Sequence, residues 1–250
     1  LAHDITVNKG LATDWADGTS VPANIWTPIG DGADAFQATF DGRGNSIIGL
    51  YLDTNRNYVG LFGYTIDSTI RNLRLTNTYF KTTATTNLSA KTTVKNYALM
   101  GSFVGHGEGV LENLYSDAIL EAPSGQANNY GGQIGGIIGR VQHALSATKG
   151  DTECTITNCW FNGQIRTNIT GNAYSAGLVG MQVYGDLRIS NSLMSGNIIC
   201  SGTEKRVGGI LGNDNGNNTS TTVKNCVMSG TITGGTSVGS LTGKVSATTS

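Results

Sequence analysis

Apolar and polar residues alternate along this chain in short bursts, and the bursts recur. The phrase glycine–apolar–apolar–glycine appears as Gly60-Leu61-Phe62-Gly63, Gly136-Ile137-Ile138-Gly139, Gly177-Leu178-Val179-Gly180 and Gly209-Ile210-Leu211-Gly212. Looser copies open on serine: Ser102-Phe103-Val104-Gly105 and Ser240-Leu241-Thr242-Gly243. The closing glycines stand at 63, 105, 139, 180, 212 and 243, at intervals of 42, 34, 41, 32 and 31 residues. A period in this range marks one supersecondary unit stacked many times.

A second phrase, centred on asparagine, follows each of the first five copies: Ile70-Arg71-Asn72-Leu73, Leu111-Glu112-Asn113-Leu114, Ile156-Thr157-Asn158-Cys159, Ile189-Ser190-Asn191-Ser192 and Val223-Lys224-Asn225-Cys226. Two positions before the asparagine the residue is always a branched aliphatic. Seven positions after it stand Tyr79, Leu120, Ile165, Ile198 and Ile232, with mostly polar residues between. Period-two alternation in short pieces predicts strands, and no segment keeps a helical spacing of apolar residues. Each strand is expected to pair with its equivalent one repeat away, parallel and in register, about 4.8 Å apart. The predicted fold is all-β: a parallel β-helix with about one coil per 31–42 residues.

The asparagine column Asn72, Asn113, Asn158, Asn191 and Asn225 has a physical role in such a coil. A carboxamide both donates and accepts, so stacked asparagines can bond each to the next. Asparagine also tolerates the left-handed backbone of a sharp corner. The competing reading makes the row a ligand-binding stripe. The glycines are expected to relieve crowding where backbones approach. No helix signature follows any of them, which excludes a phosphate-cradling loop.

Composition narrows the function classes. Of 250 residues, 36 are glycine and 3 proline, and only 13% are charged against 38% hydrophobic, so a core forms and the surface is dressed with Thr, Ser and Asn. A net charge of −1 gives no footprint for nucleic acid or an acidic membrane. No apolar run approaches the roughly 18 residues of a membrane span. The start at Leu1 suits a processed or excised secreted fragment. Cys154, Cys159, Cys200 and Cys226 fit neither a zinc site nor a redox pair, and are expected as small core residues, with a disulfide left open.

Residues 1–57 are expected to form an N-terminal cap and first coil, with Trp15, Trp26, Phe36 and Phe40 at or over the open end, and 58–250 a single continuous solenoid. Here Phe40-Asp41-Gly42-x-Gly44, Ile48-x-Leu50, Tyr58-Val59-Gly60-Leu61-Phe62-Gly63 and Ile70-x-Asn72-Leu73 resemble the opening of GLUG-motif repeat proteins. The later Gly-Leu-Val-Gly and Ile-x-Asn-Cys phrases resemble the repeats that follow in that family. The resemblance covers roughly residues 26–243. It implies a right-handed parallel β-helix, in keeping with the general handedness of parallel crossovers. It also implies an extracellular, adhesin-like setting in large bacterial proteins, and carries no catalytic residue over.

Chemistry is sparse in the sequence. His106, Glu108, Glu112, Asp117 and Glu121 form the densest ionisable stretch, with Glu108 and Glu112 expected on or beside a solvated turn. The insertion 141–153 holds His143, Lys149, Asp151 and Glu153, a candidate binding edge of the kind long loops provide. Residues 81–95 are a polar tract leaving the coil. Asp214-Asn215-Gly216-Asn217-Asn218 looks like a calcium loop, but Asn225 stands where an EF-hand needs Glu, so a tight turn is expected. Asn87, Asn168 and Asn218 open glycosylation-type triplets of the kind that arise by chance in an Asn- and Thr-rich chain. No catalytic residue, metal site or cofactor is expected.

The expected function is a non-enzymatic structural or adhesive module of a bacterial surface or secreted protein, located outside the cell. Its partners would be other domains of the same large protein, identical subunits at the coil ends, or host or matrix glycans or proteins; nucleic acid and a membrane span are not expected. Two alternatives stand beside it. One is a filament subunit stacking head to tail, because residues 240–243 open a coil that no asparagine phrase completes. The other is a carbohydrate-active β-helix enzyme or its sugar-binding accessory part, which would need an acidic and aromatic cleft on one face.

Overall fold

Parallel pairing of equivalent residues organises the chain. A computed structural model describes residues 1–84, 98–122, 132–142, 153–169, 171–215 and 219–244; the tract 81–95 therefore falls largely outside the described residues. One coil runs through the strands Gly171–Ala176, Val179–Gln182, Gly185–Ser190, Leu193–Met194 and Asn197–Cys200, and the next begins at Glu204–Gly208. Equivalent strands of successive coils pair in parallel, building three sheets whose strands stack in register. The protein is a parallel β-helix.

The interior is a set of columns. Ile70, Leu111, Ile156, Ile189 and Val223 are register partners in turn. A second column runs Leu52, Phe80, Leu120, Ile165, Ile198 and Ile232. Most of these side chains are wholly buried, each covered by its neighbours above and below. Such a coil cannot keep its core alone, because its two faces would lie open.

The second column corrects one expectation. Tyr79 was expected in it, but Phe80 holds that place and Tyr79 pairs with Ile119 on the outer face. Leu75 is level with Ser116 and Tyr79 with Ile119, so the first coil has three residues where the second has two. The surplus is absorbed beside Asn77, at φ 51°. A one-residue slip sends every following side chain to the opposite face.

That slip creates a docking place. Outward-facing Tyr51, Tyr79 and Ile119 pack with Ala12 and Trp15 of the short helix Ala12–Ala16. Asn77 ties the helix down: its Oδ1 accepts from the Ala12 amide at 2.7 Å and its Nδ2 donates to the Gly10 carbonyl at 2.6 Å. Trp15 therefore covers a flank of the solenoid, contrary to the expectation that it caps the end. Phe36 and Phe40 are half-buried against the core, with ring centroids 4.6 and 5.5 Å from that of Phe62.

The closing glycines mark a close approach. A Cβ on Gly139 would sit 2.5 Å from the Met100 amide nitrogen and 2.6 Å from the Gly105 carbonyl oxygen, both backbone. The chain doubles back at each glycine phrase, so that the strands before and after it lie face to face. Between them runs a second, more polar row. Tyr58, Leu99, Gln133, Tyr174 and Arg206 lie on one side, with Tyr64, His106, Arg140, Met181 and Asn213 on the other. His106 is buried against the stacked rings of Tyr58 and Tyr64, at centroid distances of 5.5 and 4.9 Å. Neither of its ring nitrogens has a hydrogen-bond partner among the described residues, and burial drives its pKa well below the usual histidine range.

Candidate functional site

Asparagine stands at the same corner of each coil because the chain there turns left-handed. Asn72, Asn113, Asn158, Asn191 and Asn225 have φ between 50° and 55°, a region that costs most side chains energy but that asparagine visits readily. Parallel stacking then brings their carboxamides into line. Asn113 Nδ2 donates to Asn72 Oδ1 at 2.9 Å, Asn158 Nδ2 to Asn113 Oδ1 at 3.1 Å, and Asn225 Nδ2 to Asn191 Oδ1 at 3.2 Å. At the N-terminal end Asn72 Nδ2 donates to Asp41 Oδ1 at 3.1 Å, and Asp41 also binds Arg71 at 3.0 Å. Each amide that spends one N–H and one lone pair along the column has others left for a ligand.

Two positions beyond each asparagine the side chain points outward again. This row runs Arg74, Tyr115, Trp160, Leu193 and Val227. The Arg74 guanidinium lies 4.3 Å above the Tyr115 ring, and Tyr115 meets Trp160 edge to face with centroids 4.9 Å apart. Trp160 is 40% exposed, unusual for so large an apolar ring. Its orientation is held from below: Nε1 donates to Ser195 Oγ at 2.7 Å, and Ser195 Oγ donates to Asn162 Oδ1 at 2.8 Å.

Asparagine column and aromatic row together wall an open groove of about 580 Å³, lined by Arg43, Arg74, Asn72, Asn113, Asn158, Tyr115 and Trp160 among others. A neighbouring hollow of about 420 Å³ lies between the helix Ala12–Ala16 and the corners bearing Asp117, Asn162, Ser195 and Asn197. Asp117 Oδ1 accepts from the Asn77 amide at 2.7 Å, while burial raises the carboxyl pKa.

The ionisable stretch does not gather into one site. His106 is inside the polar row, Glu112 stands half-exposed beside the asparagine column, and Asp117 reaches the hollow. Glu121 lies on the sheet that carries Ile119–Ala122. Glu108 was expected in solvent and is buried, 2% exposed. Flanking Gly107 and Gly109, at φ 140° and 125°, break the alternation and turn it inward. There its carboxylate accepts the Glu153 amide at 3.0 Å, and its carbonyl accepts the Thr65 and Ser68 hydroxyls, each at 3.2 Å. Of the candidate loop, His143, Lys149 and Asp151 lie outside the described residues, as do Gly216, Asn217 and Asn218 of the calcium-like segment and Asn87; Glu153 is exposed. Asp214 is buried and receives the Thr219 and Thr221 hydroxyls. No cluster of three or more potential metal ligands occurs among the described residues.

Sequence reasoning passed over Trp160 and Tyr115, because each sits in a repeat position filled elsewhere by Arg, Leu or Val. It also passed over Glu204, wholly buried inside the core, where Cys200 Sγ lies 3.4 Å from Oε2 and burial raises the carboxyl pKa. All four cysteines are free thiols. Cys159 and Cys226 share a column with Ser192 between them, two coils apart, which is too far for a bridge.

No family model matches the chain, and no solved structure matches it significantly. Over 92 residues it is 36% identical to a protein of Evansella cellulosilytica named "Putative Gly-rich membrane protein". That stretch is 36% of this chain and 9% of the relative, so the chain matches under a tenth of the relative's length. In this chain no described helix is long and apolar enough to cross a membrane.

Proposed function

We propose that this chain is a non-enzymatic structural and adhesive β-helix module of a bacterial surface or secreted protein, of the GLUG-repeat kind, working outside the cell. The observation that carries the reading is the pairing of a parallel stack of coils with one side face that presents amides and aromatic rings in rows. A stack closed by register alone is stiff along its axis, because each strand is hydrogen-bonded to the coil on either side. The matched relative is a much longer protein whose printed name places it at a membrane, in keeping with a module carried by a large surface protein. The dispersal of His106, Glu108, Glu112, Asp117 and Glu121 over separate environments supports binding over turnover, since acid–base chemistry needs such groups converging on one substrate.

The test is incubation of the purified chain with a panel of plant, bacterial and animal polysaccharides. The expected result is no new reducing ends and no unsaturated uronate absorbance, alongside retention of the chain on at least one immobilised matrix or cell surface. Catalytic release of products would overturn the non-enzymatic reading.

A further inference from the structure

The groove beside the asparagine column has a chemistry that specifies its occupant. We propose that it binds an extended acidic oligosaccharide, a chain containing uronic acids, lying along the solenoid axis with one pyranose ring stacked on Trp160. The proposal rests on the adhesive reading above and names the ligand of that face.

Three observations lead to it. First, the backbone on this face is committed to the ladders: Arg74 pairs with Tyr115, Tyr115 with Trp160 and Trp160 with Leu193, all in parallel register. A peptide strand therefore finds no free edge to extend, and recognition falls to side chains. Second, those side chains are the ones that hold sugars. Trp160 offers an exposed apolar ring face that Ser195 and Tyr115 hold in place. Asn72, Asn113 and Asn158 offer paired donors and acceptors to hydroxyl groups, repeated at the spacing of adjacent strands, about 4.8 Å. That repeat is comparable to the advance of an extended sugar chain per ring, so successive rings meet equivalent amides.

Third, the charge of the groove is one-sided. Arg43 and Arg74 line it, and among the described residues no carboxylate does. Of the acids at its border, Asp41 is engaged by Arg71 at 3.0 Å, by the Arg43 amide at 2.8 Å and by Asn72 at 3.1 Å, and Glu112 stands beside the column level with Arg71. Asp117 opens into the separate hollow beside the helix. A guanidinium beside an aromatic platform suits a sugar carboxylate, which it can hold with two parallel hydrogen bonds. A neutral sugar would offer neither guanidinium a carboxylate, and Arg74 would keep only the Tyr115 ring and the field of Asp117.

The experiment is calorimetric titration of the full chain with a galacturonic acid hexamer, with cellohexaose as the neutral probe. The acidic hexamer should bind and cellohexaose should bind at least about tenfold more weakly; raising salt to about 0.5 M should weaken the acidic hexamer several-fold. Trp160→Ala should reduce affinity roughly tenfold. Arg43→Asn should reduce it several-fold without changing the melting temperature, since the Arg43 side chain is exposed and asparagine accepts its φ of 54°. No binding of the acidic hexamer, equal binding of the two probes, or binding indifferent to both substitutions would each overturn the proposal. The structural module reading survives any of those results, because product release tests it separately.

Discussion

Substitution at Asn113 separates two contributions that the asparagine column combines. Asn113→Gly keeps the left-handed backbone and loses the two amide bonds to Asn72 and Asn158, a cost of about 1 kcal/mol for exposed bonds. Asn113→Ala also forces a Cβ into φ 54°, adding about 1–2 kcal/mol. Urea unfolding of both variants should therefore rank wild type above Gly above Ala; equal values for Gly and Ala would show that backbone strain is unimportant at the corner. His106 makes a second residue-scale prediction. Its folded pKa lies below the ordinary value near 6.5, because burial and Arg140 both oppose the charged ring. Its contribution to stability is thus complete above pH 6.5 and is lost as pH falls from there toward the folded pKa. Asp117 and Glu204, raised by burial, act in the opposite sense and favour folding at lower pH. Unfolding midpoints of wild type should fall between pH 7 and 5, and in His106→Leu that part of the fall should vanish.

Single elements carry the close approaches that make the coil possible. At Gly139 an added methyl meets the Met100 amide and the Gly105 carbonyl, neither of which can move without parting two strands, so Gly139→Ala should cost about 3 kcal/mol or more. Gly18, at φ 71° with nothing within 4 Å of its would-be Cβ, should lose only about 1–2 kcal/mol on the same change. Thermal melts of the two variants check the contrast, and comparable losses would refute the crowding argument. The recurrence of the glycine phrase was visible in the sequence, yet its cause was not. Chain doubling brings 133–135 and 138–141 face to face, and that juxtaposition, together with the polar row holding Tyr58, His106 and Arg140, follows no local spacing. Asn77 shows the same limit at one position: its extra residue shifts Tyr79 from core to flank, where Trp15 meets it.

Across the whole molecule, stability should be graded along the axis. Ile156, Phe161, Ile165, Ile189, Met194 and Ile198 are wholly buried between neighbours, while their counterparts Val223, Met228 and Ile232 are only half-buried, since among the described residues their coil is covered on one side. Stacked-coil stability is a sum of nearest-neighbour terms, so opening starts in the coil whose core residues are least buried. Amide exchange should be fastest, among the strands, in Thr219–Lys224, Val227–Met228 and Thr231–Gly234, and slower in Gln164–Thr167 and Asn197–Cys200. Uniform protection along the axis would indicate one all-or-none unit. Ile189→Ala should accordingly cost about 2–5 kcal/mol, and Val223→Ala less.

Repetition let the sequence alone determine the parallel β-helix, its period and the asparagine corner, because like residues one repeat apart must stack and only a left-handed corner suits asparagine in every copy. Tertiary structure decided what repetition cannot encode. It turned Glu108 inward at two glycines and moved Tyr79 outward by one residue. Each of those outcomes departs from the repeat, and a departure has no neighbouring copy from which to be read; its consequence appears only when the coils are stacked.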